Sequence, residues 1–153
     1  MNAREIVEIF VEQLWNQRQL ALADDLFPAD FVAKPIAYQS LWQGTGPESM
    51  KHHVREWLAG LPDLQMNTIA MMVRDDRVWS RWEMTGTHEG TLYGIPPTGK
   101  TIKALGVTLF EIADNKIRSL ETIFDGLGLM QQLDVLPDAA TLIENYLIAS
   151  QAR

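Results

Sequence analysis

Thr85-Gly-Thr-His-Glu-Gly-Thr-Leu-Tyr-Gly-Ile-Pro-Pro-Thr-Gly-Lys100 and, further on, Glu121-Thr-Ile-Phe-Asp-Gly-Leu-Gly-Leu-Met-Gln-Gln-Leu133 decide how this chain reads. Both join strand-like alternation to a stretch punctuated by Gly or Pro, and the second places an acid, Asp125, where its strand runs out. An acid at a strand end beside a turn is the first place to look for chemistry.

Working outward, Lys100 to Ala113 and Lys116 to Phe124 flank Asp114-Asn115, and Gln65 to Arg74 and Arg77 to Glu89 flank Asp75-Asp76. Each pair of acidic or amide residues reads as a two-residue hairpin turn. An unbroken first hairpin puts Ile69, Met71 and Val73 on one face with Val78, Ser80, Trp82 and Met84, and Met66, Ala70 and Met72 on the other with Trp79, Arg81 and Glu83. An unbroken second hairpin puts Ala104, Gly106, Thr108, Phe110 and Ile112 with Ile117, Ser119, Glu121, Ile123 and Asp125. Leu105, Val107, Leu109 and Glu111 then share a face with Arg118, Leu120, Thr122 and Phe124, and Glu111 stands opposite Arg118, where the two pair. Both faces carry large apolar groups, so one faces a cavity or helices and the other a subunit partner.

Before the strands, residues 3 to 19 place Ile6, Val7, Phe10 and Leu14 on one side, with Trp15 near them, and Glu5, Glu8, Glu12 and Arg18 on the other, an amphipathic helix. A short helical piece from Leu20 stops at Phe27-Pro28, because a residue before proline leaves the helical region. Phe31 to Tyr38 reads as a short strand, at an edge because of Pro35. Gly44-Thr-Gly-Pro-Glu48 starts a helix that runs to about Leu58 with Met50, Val54, Trp57, Leu58 and Leu61 buried, Lys51 and His52 facing water, and His53 beside the stripe, bonded to backbone. Pro137 introduces a last amphipathic helix, about residues 138 to 150, which caps the fold or packs on a second subunit.

The 153 residues are 46% hydrophobic and 22% charged, the balance of one globular domain, residues 1 to 153 with its core at about 4 to 134. A net charge of -7, with no basic block, argues against nucleic acid as a partner. Absence of cysteine removes disulfides, thiolate chemistry and Cys-based zinc. The N-terminus has no apolar leader and no stretch suits a membrane span, so a cytoplasmic protein without a membrane partner is expected. Gly94-Ile-Pro-Pro-Thr-Gly-Lys-Thr101 fits the phosphate-loop pattern by letter only: Pro96 and Pro97 have no N–H to give an anion, and a strand rather than a helix follows.

The Gly86-Thr-His88 run, the Pro96-Pro-Thr-Gly99 turn and Asp125 followed by Leu127-Gly-Leu129 and Gln131-Gln-Leu133 resemble the SnoaL-like polyketide cyclases, also called ester cyclases, within the nuclear transport factor 2-like superfamily. The resemblance covers about residues 4 to 134. It implies an α+β fold (nuclear transport factor 2-like, or cystatin-like): a cone-shaped, mostly antiparallel sheet wrapped around N-terminal helices, here with an extra C-terminal helix. It also implies an apolar pocket, a homodimer through the sheet, no metal or organic cofactor, and an aspartate at the position of Asp125 serving as acid and base in an aldol closure. Two positions depart from the common pattern: Glu121 stands where many members have Trp, and Val32-Ala33-Lys34 where many have a His.

An aldol closure needs a base for a proton alpha to a carbonyl and an acid for the new alkoxide, and one carboxyl group in a dry pocket does both. That role falls to Asp125. If Gly90 opposes Ile102, then His88 opposes Ala104 and shares the face of Asp125 about 10 Å away, two strand spacings, as a helper that orients or polarises the substrate. Trp82, Met84, Thr108 and Phe110 line the cavity, with Glu121 as a polar wall about 13 Å along the strand from Asp125. The function expected is a cyclase-type enzyme acting on a small or polycyclic carbonyl compound. The alternatives are a non-catalytic protein that binds an apolar small molecule, and an epoxide-hydrolase-like enzyme in which Arg81 reaches the pocket because the faces are reversed.

Overall fold

The computed structural model describes residues 1–35 and 44–152. One sheet contains β1 (Lys34–Pro35), β2 (Gln65–Arg74), β3 (Arg77–Thr87), β4 (Thr101–Ala113) and β5 (Lys116–Phe124), in the order β1-β5-β4-β3-β2. The four long strands are antiparallel, and β1 runs parallel to β5 with Lys34 opposite Glu121. Of the strand expected over residues 31 to 38, only Lys34–Pro35 is extended and paired in the described part. Its remainder lies outside the described residues. Both hairpin turns form at the anticipated pairs, and Asp75, Asp114 and Asn115 adopt positive φ, which Asp and Asn tolerate best among residues with a side chain.

The β3 and β4 strands pair without interruption, Ser80 opposite Thr108 and Met84 opposite Ala104. The other two long pairings each contain a bulge. On β2, Thr68 opposes Trp82 while Ala70 opposes Arg81, which leaves Ile69 as an extra residue. On β5, Ile117 opposes Ile112 while Ser119 opposes Glu111, which leaves Arg118 as the extra residue. A bulge bends and twists its strand, here adding to the sheet's curve, and sends every residue beyond it to the opposite face.

The faces expected from unbroken hairpins are therefore corrected. Thr68 and Met66, not Ile69, continue the inner face of β2, and Leu120, Thr122 and Phe124, not Glu121, Ile123 and Asp125, continue that of β5. Nor do Glu111 and Arg118 pair. Glu111 meets Arg77 at 3.2 Å and accepts the Ser119 hydroxyl at 2.9 Å, while Arg118 reaches Asp30 at 3.4 Å.

The helices that precede β2 pack on the concave side of the sheet. Helix α1 (Ala3–Ile9) opens with a capping box between Asn2 and Glu5 and widens into a π-helical segment, Phe10–Asn16, that turns Phe10, Val11, Leu14 and Trp15 into the core. At its end Arg18, in a left-handed conformation, donates to the carbonyls of Trp15, Asn16, Pro62 and Leu64 at 2.6–3.3 Å and so anchors the helix to the approach to β2. After a 3₁₀ turn, helix α2 (Ala23–Leu26) stops ahead of Pro28.

Helix α3 (Gly46–Gly60) buries Met50, Val54 and Trp57 as its periodicity requires. Lys51 is buried too, contrary to expectation. Its ammonium meets Asp24 at 2.8 Å and Glu48 at 2.6 Å, and those hydrogen bonds, Asp24 first, raise its pKa. Helix α4 (Gly126–Gln132) packs by β4, where the Gln132 side chain pairs with both main-chain polar groups of Lys103. Helix α5 (Ala139–Gln151) has no buried residue: Thr141 and Leu142 are half-buried and the others exposed. Among the described residues no helix is long and apolar enough to cross a membrane.

Gly106, on the inner face between Trp82 and Phe124, lets the Trp82 indole lie flat on the strand: a Cβ there would sit 2.2 Å from the ring. Gly106→Ala is expected to cost about 1–3 kcal/mol of stability by overpacking, read as a lowered urea midpoint at unchanged slope.

Candidate functional site

Between the inner face and the helices lies a cavity of about 140 Å³. Phe10, Val11 and Trp15 close it from the first helix, Met50, His53 and Trp57 from α3, and alternate residues of the four long strands form its wall. Among the described residues the lining is apolar and aromatic apart from two polar features.

The first is a row of hydroxyls running across the strands. Ser80, Thr108 and Thr122 stand opposite one another on β3, β4 and β5. The Trp82 indole N–H donates to the Thr108 hydroxyl at 2.9 Å, and the Thr108 and Thr122 hydroxyls are 2.9 Å apart. Ser80 is 1% exposed, and among the described residues its hydroxyl has no partner.

The second is His53 with Tyr93. The His53 ring meets Trp15 and Trp57 edge-on at centroid distances of 5.9 and 6.4 Å, and its Nδ1 is 3.3 Å from the Tyr93 hydroxyl. Burial first, and the neighbouring His52 second, push the imidazole pKa down to about 3, so the ring is neutral at ordinary pH. Burial likewise raises the Tyr93 phenol well above its usual value.

Tyr93 owes its place to a turn. Leu92 and Ile95 exchange main-chain hydrogen bonds around Tyr93 and Gly94, both at positive φ. The same loop is locked onto the end of α3, because the N–H groups of Glu89 and Gly90 both donate to the Gly60 carbonyl at 3.1 Å. The approach is close enough that a Cβ on Gly90 would fall 1.8 Å from the Ala59 carbonyl oxygen. The strained turn and the glycine contact together aim the phenol at the histidine.

Of the site residues expected from sequence, Trp82, Met84, Thr108 and Phe110 line the cavity, and Glu121, Asp125 and His88 do not. The Arg118 bulge turns Glu121 to the outer face. Asp125 lies past the end of β5, exposed, and its carboxylate caps α4 by accepting the Gly128 N–H at 2.8 Å. His88 opposes Lys100 instead of Ala104, since Gly86 rather than Gly90 stands opposite Ile102. The His88 ring is fully buried, with Nδ1 3.1 Å from the Thr98 hydroxyl, and holds the 88–100 connection together.

His53, Tyr93, Ser80, Thr122 and Met66 were not anticipated as lining. The helical spacing of Met50, His53, Val54 and Trp57 contains the signal for His53, and the Tyr93-Gly94 turn pair that for Tyr93. Among the described residues no carboxylate lines the cavity, and no cluster of His, Cys, Asp or Glu could hold a metal ion.

Two outcomes follow from this geometry. His53 is neutral when folded, with a pKa near 3, but titrates near 6.5 when unfolded, so the unfolded chain binds more protons between these values. Its contribution to stability is complete above about pH 6.5 and is lost as pH falls toward 3. Between pH 7.5 and 5 the parent should lose about 2 kcal/mol that His53→Phe does not lose, measured by urea denaturation at both pH values. In Ser80→Ala the buried, unpaired hydroxyl is removed, and the thermal midpoint should rise by the equivalent of about 1 kcal/mol.

A family model for SnoaL-like polyketide cyclases matches residues 5–133. No curated protein matches the sequence. Among solved structures, a candidate polyketide cyclase from Acidithiobacillus ferrooxidans is 27% identical with a TM-score of 0.75 over 86% of this chain and 94% of its own. A candidate SnoaL-like polyketide cyclase from Jannaschia sp. CCS1 is 22% identical with a TM-score of 0.77 over 88% and 93%. AclR, a candidate hydroxylase from Streptomyces galilaeus, is 23% identical with a TM-score of 0.76 over 98% and 93%. With its α+β order of helices, curved antiparallel sheet and C-terminal helix, and a family match across most of its length, the chain belongs to the SnoaL-like polyketide cyclases.

Proposed function

We propose that the cavity binds a small or polycyclic apolar compound with at least two carbonyl groups and catalyses an intramolecular aldol-type closure, with His53 in the acid/base role that sequence reasoning gives to Asp125. The observation that carries this reading is the position of His53, a neutral imidazole in an aromatic wall beside the Tyr93 hydroxyl. In the tautomer whose Nδ1–H donates to the Tyr93 oxygen, Nε2 is the basic nitrogen.

Nε2 takes a proton alpha to one carbonyl, and the C–H electron pair becomes an enolate. The enolate carbon bonds to the second carbonyl carbon, whose oxygen becomes an alkoxide, and the imidazolium returns its proton there. An imidazole of low pKa serves because the enolate forming next to it in low dielectric favours the charged ring. The Tyr93 and Thr108–Thr122 hydroxyls supply hydrogen bonds to the developing oxyanions. Asp125, spent on its helix cap and exposed, supports the architecture of α4.

The absence of a carboxylate among the described lining residues favours one second reading, a binding protein without turnover. An epoxide-opening site has no support, since Arg81 is exposed on the outer face. We also propose a homodimer through the sheet, because Met72, Leu105, Val107 and Ile123 leave an apolar outer face wet in a single chain.

The test uses a diketo-ester probe, with binding followed through the tryptophans at the cavity and closure followed by product analysis. In His53→Asn the closure rate should fall at least about 100-fold, while Asp125→Asn stays within about threefold of the parent. Binding without closure by the parent establishes the binder instead. Closure that survives in His53→Asn and disappears in Asp125→Asn overturns the assignment.

A further inference from the structure

Helix α5 places Leu142, Ile143, Tyr146, Leu147 and Ile148 around most of its circumference, and none of its residues is buried. Ile143, Tyr146 and Ile148 are 61%, 72% and 61% exposed. The helix starts properly, with the Asp138 carboxylate accepting the Thr141 N–H at 2.9 Å, but an isolated helix of 13 residues is marginal in water. Leu142 is half-buried, but Ile143, Tyr146, Leu147 and Ile148 are left exposed by their own chain.

The same chain leaves one broad apolar surface uncovered, the outer face of the sheet, where Met72, Leu105, Val107 and Ile123 are 44–69% exposed. The two surfaces match in size. A 13-residue helix is about 20 Å long, and four strands spaced about 4.8 Å apart present a width of about 15–20 Å.

The two surfaces match in charge as well. The only charged side chain within α5 is Glu144, at the margin of its apolar surface between Leu147 and Ile148. On the outer face Arg77 is paired with Glu111 at 3.2 Å and Lys103 with Glu83 at 2.8 Å. Arg81, between them on β3, is exposed and has no ion-pair partner among the described residues.

We propose that α5 of each chain packs across the outer sheet face of a second copy, setting Glu144 against the partner's Arg81, and that the exchange is reciprocal. The proposal rests on the homodimer reading above and names the segment that makes the dimer. Reciprocity counts each contact twice, which moves the total buried toward the roughly 1,200–2,000 Å² of stable pairs. Neither α5 nor Arg81 belongs to the cavity.

Sedimentation velocity at micromolar concentration tests this on four proteins: the full chain, the chain ending at Pro137, Glu144→Arg, and the double variant Arg81→Glu/Glu144→Arg. The core ends at Leu133, so the shortened chain keeps its whole core, and its folding is checked by circular dichroism. The full chain should be a dimer and the shortened chain a folded monomer. Glu144→Arg should weaken the dimer about tenfold, and the double variant should recover most of that loss. A shortened chain that remains dimeric overturns the role of α5 while leaving the sheet-mediated dimer intact. A monomeric full chain overturns both. A double variant no tighter than Glu144→Arg alone removes α5 from this face.

Discussion

Two single-residue insertions, Ile69 in β2 and Arg118 in β5, govern the structure. In a strand the side chains alternate with period two, so one unpaired residue inverts everything that follows it. Beyond Ile69 the inversion brings Met66 to the cavity, and beyond Arg118 it brings in Thr122 and Phe124 while sending Glu121 to the opposite surface. The same insertions sharpen the local bend of their strands. Curvature of the sheet and chemistry of its concave side are therefore set by the same two residues.

The concave side that results is poor in charge. Among the described lining residues the two ionisable groups, His53 and Tyr93, are each pushed by desolvation toward the neutral form, one downward and one upward. A site of this kind does not grip a charged ligand. Its described lining offers apolar surface at Trp15, Trp57, Trp82 and Phe124 and hydrogen-bonding groups in its hydroxyls and one imidazole.

Much of the fold was legible in the sequence. The turn pairs Asp75-Asp76 and Asp114-Asn115, the helical stripe of Ile6, Val7, Phe10 and Leu14, and the Pro-started helix at Gly46 all have local chemical causes, and local causes can be read from letters. The bulges have no such signature. Ile69 is an apolar residue in an apolar run and Arg118 a polar residue in an alternating one, so nothing in either stretch announces an extra residue, and an unbroken register was the natural assumption. From that assumption came the placement of Asp125 and Glu121 inside. The register of His88 is hidden for a related reason: the length of a Pro- and Gly-rich connection does not state where the next strand pairs. His53 was visible in the spacing of α3 but looked like part of the core, since its neighbour Tyr93 comes from a loop forty residues away in sequence.

One small contact at the rim of the sheet has a wider meaning. The Asn16 side chain donates to the Met66 carbonyl at 2.9 Å and accepts the Met66 N–H at 2.8 Å, as a neighbouring strand would, and Arg4 donates to the Met71 carbonyl farther along the same margin. Unpaired strand margins act as templates for other chains. Here the plug comes from the N-terminal helix, which leaves the ribosome about fifty residues before the strand it seals. The nascent chain thus carries its own guard against stacking into fibrils by the time the vulnerable strand appears, and a proteolytic cut that removed the first helix would turn a well-behaved protein into a seed for aggregation.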